Sequence, residues 1–189
     1  MDSFYELIQK IYPLSEEAYI VLYDAMTAIE CERGGTILNK GDINTYVYFV
    51  ERGLTRSYVL RDGKDFTVWF SREGEPVVMT IGSIAQTYSS VCVEALEKTT
   101  LLRIEREKLK RLFLTNLELC NWGRRLADCY LCELEVILSR DLCSSASERY
   151  CHLLQESPEL LQRVSLKHLA SYLLITPESL SRIRRNIMK

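Results

Sequence analysis

The sequence predicts an α+β chain in which a block of short strands, forming a sandwich or barrel, is followed by a long helix and a terminal helix-turn-helix. Three observations carry this expectation. Seven β-type runs of four to seven residues, separated by turn residues, fill the stretch from about 27 to 104. An apolar stripe at helical spacing then persists from Glu105 for more than about 30 positions. Near the C-terminus, two short helical segments each open on a residue whose side chain can cap a helix.

At the N-terminus, Phe4, Leu7, Ile8 and Ile11 share one helical face, and Pro13 breaks the pattern. Ser15 followed by Glu16 and Glu17 starts a second helix running toward Met26. After Thr27 come the strand-like runs AIECER, TILN, YVYFVE, LTRSYVL, DFTVWFS, VCVEAL and TTLLRI. The first five are punctuated by Gly34-Gly35, Lys40-Gly41-Asp42, Arg52-Gly53 and Asp62-Gly63, which supply turns. The stretch REGEPVVMTIGSIAQTYSS, ahead of the sixth run, is less regular.

Leu109, Leu112, Leu119, Leu126, Tyr130, Leu134 and Ile137 recur every three or four residues or multiples of that spacing, predicting one helix over about 105–141 with Gly123 inside it. Apolar residues also lie on flanking faces, at Phe113, Trp122, Leu131 and Leu138, which suggests two partners: the strand block and a second copy of the helix. A homodimer follows from this reading; the alternative is a helix packed wholly on its own barrel. Ser144-Ser145 ends the helix, and Ser145-Ala-Ser-Glu148 has the form of a capping box opening the next, which carries Tyr150, Leu153 and Leu154 and ends at Pro158. The domain boundary therefore falls near 141–145, dividing 1–141 from 142–189.

Composition narrows the class. With 47% apolar residues spread among charges, no run approaches the roughly 20 apolar residues of a membrane span, and the acidic start MDSFYELIQK does not read as a signal peptide. A cytoplasmic protein without a membrane partner is expected. Seven cysteines lack the spacing of a disulfide framework, so free thiols are expected. Cys129-x-x-Cys132 stands in a helical pattern with no second such pair, which argues against a metal site. The net charge of −2 hides an asymmetry: from Gln162 onward six basic residues face the single acid Glu178, a net of +5, leaving −7 for the remainder. A basic segment on an acidic body suggests a local polyanion contact.

That segment, SLKHLASYLLITPESLSRIRRNI, reads as two capped helices joined by a tight turn. Ser165 caps the first, with Leu166, Leu169, Ala170 and Leu173 facing inward; small Ala170 permits close crossing. Thr176 caps the second, Pro177 takes its first position, and Leu180, Ile183 and Ile187 form its apolar face. The opposite face carries Glu178, Ser181, Arg182 and Arg185, with Ser179 beside them. Arg and Glu can read guanine and cytosine edges, Ser can contact bases or phosphates, and the helix N-terminus favours phosphate. The bland alternative is a helical hairpin with a solvated charged face.

Over nearly its whole length the chain resembles the Crp/Fnr family of transcription regulators, and HLASYLLITPESLSRIRR is particularly similar to that family's DNA-binding motif. The resemblance implies an N-terminal double-stranded, jelly-roll-like β-roll that senses an effector, a dimerisation helix and a terminal helix-turn-helix. It places the base-reading positions on Pro177, Glu178 and Arg182, with Ser179 and Arg185 as further contacts. The partners it implies are double-stranded DNA, a second copy of the chain, an unidentified small-molecule effector and RNA polymerase.

The chain departs from the family pattern in several places. Leu174 stands where the family often has Gly at the turn; positive φ there would cost about 1–2 kcal/mol, so a reshaped turn is one expectation. The sequence stops just after the second helix without the family's β-hairpin wing, and weaker or more salt-sensitive DNA binding is expected from that. Of the family's cyclic-nucleotide site, Gly74-Glu75 is present, but Pro76 follows, and the phosphate-binding Arg-Ser pair corresponds to Ser89-Ser90. No Lys or Arg lies between Arg72 and Lys98, so a phosphate diester would lack its charge-assisted donors and cyclic AMP is not the expected effector. Met79, Ser83, Tyr88, Ser89, Ser90 and Cys92 are candidates to line a small neutral pocket with Gly74 and Glu75, or simply to fill the roll.

Enzymatic readings find little support. A cupin-like metalloenzyme needs several His or carboxylate ligands on barrel strands, whereas His152 and His168 both fall in C-terminal helices. No P-loop, GxSxG or HExxH occurs, and no cofactor is expected. The remaining alternative is a dimeric small-molecule-sensing or interaction protein whose helix-turn-helix is degenerate.

Overall fold

The computed structural model describes residues 3–77 and 88–187, with side chains throughout except at 3 and 140–142. Helices α1 (Ser3–Ile11) and α2 (Glu16–Asp24) precede strands β1 (Thr27–Cys31), β2 (Thr36–Leu38), β3 (Tyr46–Arg52), β4 (Thr55–Arg61), β5 (Lys64–Ser71), β6 (Cys92–Ala95) and β7 (Thr99–Glu105). Then follow α3 (Arg106–Thr115), α4 (Leu117–Cys143), α5 (Ala146–Glu156), α6 (Leu160–Arg163), α7 (Leu166–Tyr172) and α8 (Pro177–Ile187). The α+β class is as expected, with an antiparallel β-roll and helices after it.

The strands form two antiparallel sheets, ordered β1-β7-β3 and β2-β6-β4-β5. Leu38 and Val93 from one sheet meet Val50 and Leu101 from the other in a shared apolar cluster, which closes the roll. The run in β3 is apolar on both faces because both are covered: Tyr48 and Val50 point into the roll, while Val47 and Phe49 join the helices outside. Gly53, at φ +100 in the turn from β3 to β4, is required sterically: a Cβ there would stand 2.5 Å from Thr99 Oγ1.

The outer core gathers Phe4, Ile8 and Leu22 from the N-terminal helices, Phe49 and Trp69 from the strands, and Leu119, Trp122, Leu126 and Tyr130 from α4. Burying such a side chain contributes roughly 1.5–3 kcal/mol, so this cluster is what fixes α4 against the roll. Gly123 permits the approach of α3, since a Cβ there would stand 2.5 Å from Phe113 Cζ.

Two expectations change here. The helix over 105–141 is in fact two helices, because Asn116 takes an extended conformation (φ −134, ψ 113) that ends α3. Its Oδ1 accepts a hydrogen bond from Leu119 N–H at 3.1 Å and so caps α4. The second change concerns the apolar stripe. Leu119, Leu126 and Tyr130 are buried in the chain's own core, and Leu109, Leu112, Leu134 and Ile137 pack against the same cluster. That seam therefore faces the roll. The face of α4 turned outward carries Leu117, Leu131 and Leu138, respectively 76%, 60% and 61% exposed.

The C-terminal helices share a third apolar cluster with the roll: Leu54 and Phe70 pack with Tyr150, Leu153, Leu160, Leu169, Ala170, Leu173 and Leu180. Among the described residues no helix is long and apolar enough to cross a membrane.

Candidate nucleic-acid interface

Both caps of the terminal helix pair form. Ser165 Oγ accepts from His168 N–H at 3.3 Å, and Thr176 Oγ1 accepts from Ser179 N–H at 3.2 Å. Between them the chain closes a Schellman turn: Ile175 N–H donates to Ala170 O at 3.0 Å, and Leu174 N–H to Ser171 O at 3.1 Å. This geometry demands a left-handed residue, and Leu174 supplies it at φ 56. The turn is therefore not reshaped; Leu174 takes the conformation normally given to Gly, with its side chain 55% exposed.

Leu180 is fully buried and Ile183 packs partly on the same cluster, which orients α8. Its opposite face presents Glu178, Ser181, Arg182 and Arg185 to solvent. The Thr176 hydroxyl donates to Ser179 Oγ at 3.2 Å, which also accepts from Arg182 Nη2 at 3.2 Å. Cap, Ser179 and Arg182 thus form one chain of hydrogen bonds along the open side. The backbone N–H of Glu178, with Thr176 beside it, holds the Glu178 carboxyl below its usual range, so it is a carboxylate at the helix N-terminus.

Not every cation of the basic segment belongs to this face. Arg163 is bound to Glu73 and Glu97, each at 2.6 Å, and Lys167 lies 3.8 Å from Asp65. Both face the roll. With Ser165 and His168 they line a cleft of about 510 Å³ between the roll and α7, in which Arg56, only 2% exposed, is held by Asp65 and Glu94 at 2.8 Å each. Ser165 is thus set apart from the α8 surface. Burial, then the charge of Arg56, push the His168 imidazole below its ordinary value. Neither the ion pairs of Arg163 nor this cleft was readable from the sequence, since Arg163 stands 66 and 90 positions from its partners Glu97 and Glu73.

The described candidate effector residues are each held by neighbours outside the candidate set or lie exposed. Glu75 Oε1 accepts from Arg72 Nη2 at 2.6 Å, and Arg72 also reaches Glu159 at 2.6 Å and Ser157 Oγ at 3.0 Å. The Glu75 carboxylate is therefore engaged toward the C-terminal helices. Gly74, at φ 82, donates its N–H to Val50 O beside β3. Tyr88 is 73% exposed and bridges Ile43, while the Ser89 backbone pairs with Gly41 and Asp42 and its hydroxyl donates to Val91 O. Ser90 lies exposed beside them, Cys92 is buried in β6, and Met79 and Ser83 lie outside the described residues. Cys129 and Cys132 are free thiols on α4, and the described residues contain no group of three or more metal-capable side chains.

Comparison with known proteins places these features in context. Residues 28–116 match the family model of the cyclic nucleotide-binding domain. FixK2 from Bradyrhizobium japonicum superposes with a TM-score of 0.76 at 20% identity, over 86% of this chain and 84% of its own. A Crp/Fnr-family putative transcriptional regulator from Eubacterium rectale gives 0.71 at 19%, over 95% and 88%. The c-di-GMP-responsive global regulator CLP of Xanthomonas campestris gives 0.70 at 20%, over 92% of each chain. No curated protein matches at the sequence level. At these identities the likeness is one of fold.

Proposed function

We infer that this chain, which combines a cyclic nucleotide-binding-type β-roll with the fold of the Crp/Fnr regulators, is a transcription regulator that binds DNA as a homodimer. The observation that carries the reading is the orientation of α8: Leu180 is fully buried while Glu178, Ser181, Arg182 and Arg185 stand open to solvent. A helix held this way can enter a major groove N-terminus first, where Arg182 can pair with guanine and Glu178 can accept from cytosine.

Dimerisation supplies the second recognition helix. The outward face of α4 carries Leu117, Cys120, Arg124, Ala127, Leu131 and Leu138 at heptad positions, running beside the stripe, Leu134 included, that packs on the roll. A second copy on this seam would cover Leu131 and Leu138 and set two α8 helices on half-sites about 34 Å apart. Cyclic AMP does not fit as effector, because Glu75 is engaged by Arg72 and no basic residue lies between Arg72 and Lys98. The reading is regulatory and non-enzymatic, and its site of action is the cytoplasm.

Selection from random duplexes at low salt tests it. An enriched inverted repeat with half-sites about ten base pairs apart, together with about tenfold or greater loss of affinity in Arg182→Ala, is expected. Absence of any enriched motif, with general DNA affinity unchanged in Arg182→Ala, would refute the assignment of α8.

A further inference from the structure

Where α4, α5 and α7 meet β5, the packing leaves a cavity of about 450 Å³, a size suited to a drug-sized molecule. It is not the set of residues around Tyr88 to Ser90 considered above. Its aromatic walls are Trp69 and Phe70 of the roll and Tyr172 of α7. Its charged groups are three acids, Glu75, Glu133 and Glu156, and one cation, Arg72.

The charge does not balance. Arg72 is already spent on Glu75 and on Glu159 outside the lining, both at 2.6 Å. Among the described residues neither Glu133 nor Glu156 forms an ion pair, so two carboxylates border an aromatic cavity with no cation bonded to them, although Lys10 of α1 is near enough to act on Glu133. Desolvation, then the charge of Glu75, raise the Glu133 carboxyl above its usual value, and Glu156 adds to the effect while Arg72 and Lys10 oppose it. An anion entering here meets an excess of acids. A cation with an apolar body meets both carboxylates and three aromatic rings, a class of group whose faces attract cations.

We propose that this cavity binds a hydrophobic organic cation, its charge set against Glu133 and Glu156 and its body against Trp69, Phe70 and Tyr172. The site stands on the cavity itself; its description as the effector site rests on the regulator reading. The occupant would touch the roll through Trp69, the long helix through Glu133 and the helices leading to α8 through Glu156 and Tyr172. It would therefore bear on the placement of the recognition helix.

Calorimetry on the whole chain without DNA provides the test, with tetraphenylphosphonium and tetraphenylborate as probes of near-equal shape and opposite charge. Tetraphenylphosphonium is expected to saturate one site per chain and to bind at least about tenfold tighter than tetraphenylborate. The double variant Glu133→Gln, Glu156→Gln, both side chains being exposed, should keep its melting temperature and lose about tenfold or more of that affinity. Equal or tighter binding of tetraphenylborate, no saturable heat below about 1 mM, or unchanged affinity in the folded double variant would overturn the site. Saturable binding that leaves the affinity for the selected operator unmoved would remove its effector role while leaving the cavity assignment standing. Failure to bind any operator would instead count against the regulator reading.

Discussion

Ser171 of α7 occupies the place beside Thr67 of β5 that a further strand would fill. Its hydroxyl accepts from Thr67 N–H at 2.9 Å and donates to Asp65 O at 2.9 Å. β5 is an edge of its sheet, and unpaired edge groups are costly when covered and adhesive when bare. One helical side chain thus satisfies two strand positions and aligns the helix-turn-helix with the roll.

Ser171→Ala should destabilise the protein by about 1–3 kcal/mol, the cost of leaving covered backbone groups unpaired. Urea titration reads the loss, and amide exchange at Thr67 should accelerate with it. An unchanged midpoint together with an unchanged Thr67 exchange rate would mean that the hydroxyl is dispensable.

Leu174→Gly should stabilise the fold. Relieving a left-handed Leu recovers about 1–2 kcal/mol, and the greater freedom of Gly in the unfolded chain takes back about 0.5–1 kcal/mol. A net gain of about 0.5–1 kcal/mol corresponds to a rise of roughly 2 °C in melting temperature for a chain of this size. A lower melting temperature would show that the exposed Leu174 side chain packs against something that matters.

The two faces of α4 should respond differently to a carboxylate. Leu131→Asp, on the outward seam, should leave the chain folded and shift its mass in light scattering from twice 22.0 kDa to 22.0 kDa. Leu126, 4% exposed in the core, should not tolerate Asp, and even Leu126→Ala should cost about 2–5 kcal/mol. A wild-type chain of single mass at micromolar concentration would remove the dimer from the proposal.

Acid should loosen the C-terminal helices from the roll. Burial opposes ionisation of Asp65, Glu73 and Glu159, yet Arg56, Arg163 and Arg72 respectively hold each carboxyl below its ordinary value. A carboxyl with a lower pKa folded than unfolded contributes fully above its unfolded value, about 4, and loses that contribution as pH falls through the folded value. His168 adds a loss at milder pH. Its lowered folded value means that the unfolded chain binds the proton more readily, so stability should begin to fall below about pH 6.5. The His168→Gln variant should lack that first step in a plot of urea midpoint against pH, and identical plots would refute the assignment.

Local chemistry was readable from the sequence wherever a single segment determines it. Ser15, Ser145, Ser165 and Thr176 all cap helices as their positions suggest, and the reciprocal bonds of the Ser145–Glu148 box are both present. The strand runs fall within a residue or two of the observed strands because each is bounded by its own turn. What covers each face was less legible. The stripe through Leu119, Leu126 and Tyr130 shows which residues share a side of α4, but periodicity says nothing of whether the roll or another chain lies against it. Asn116 ends α3 within a pattern whose apolar spacing runs on unbroken, since its extended conformation and the cap it gives Leu119 depend on how α3 folds back over Gly123. The acids that neutralise Arg163 come from strand ends far away in the chain, so its charge looked available for DNA when it is not.

The apolar cluster that joins Leu54 and Phe70 to Leu169, Ala170 and Leu180 makes the roll a structural neighbour of α8. Any swing of that helix relative to the strands must slide or part oily surfaces, and such surfaces favour a few discrete seatings over a continuum. On the regulator reading, a molecule that wedged or filled this seam would shift α8 between such seatings and so change the separation of its two copies in a dimer.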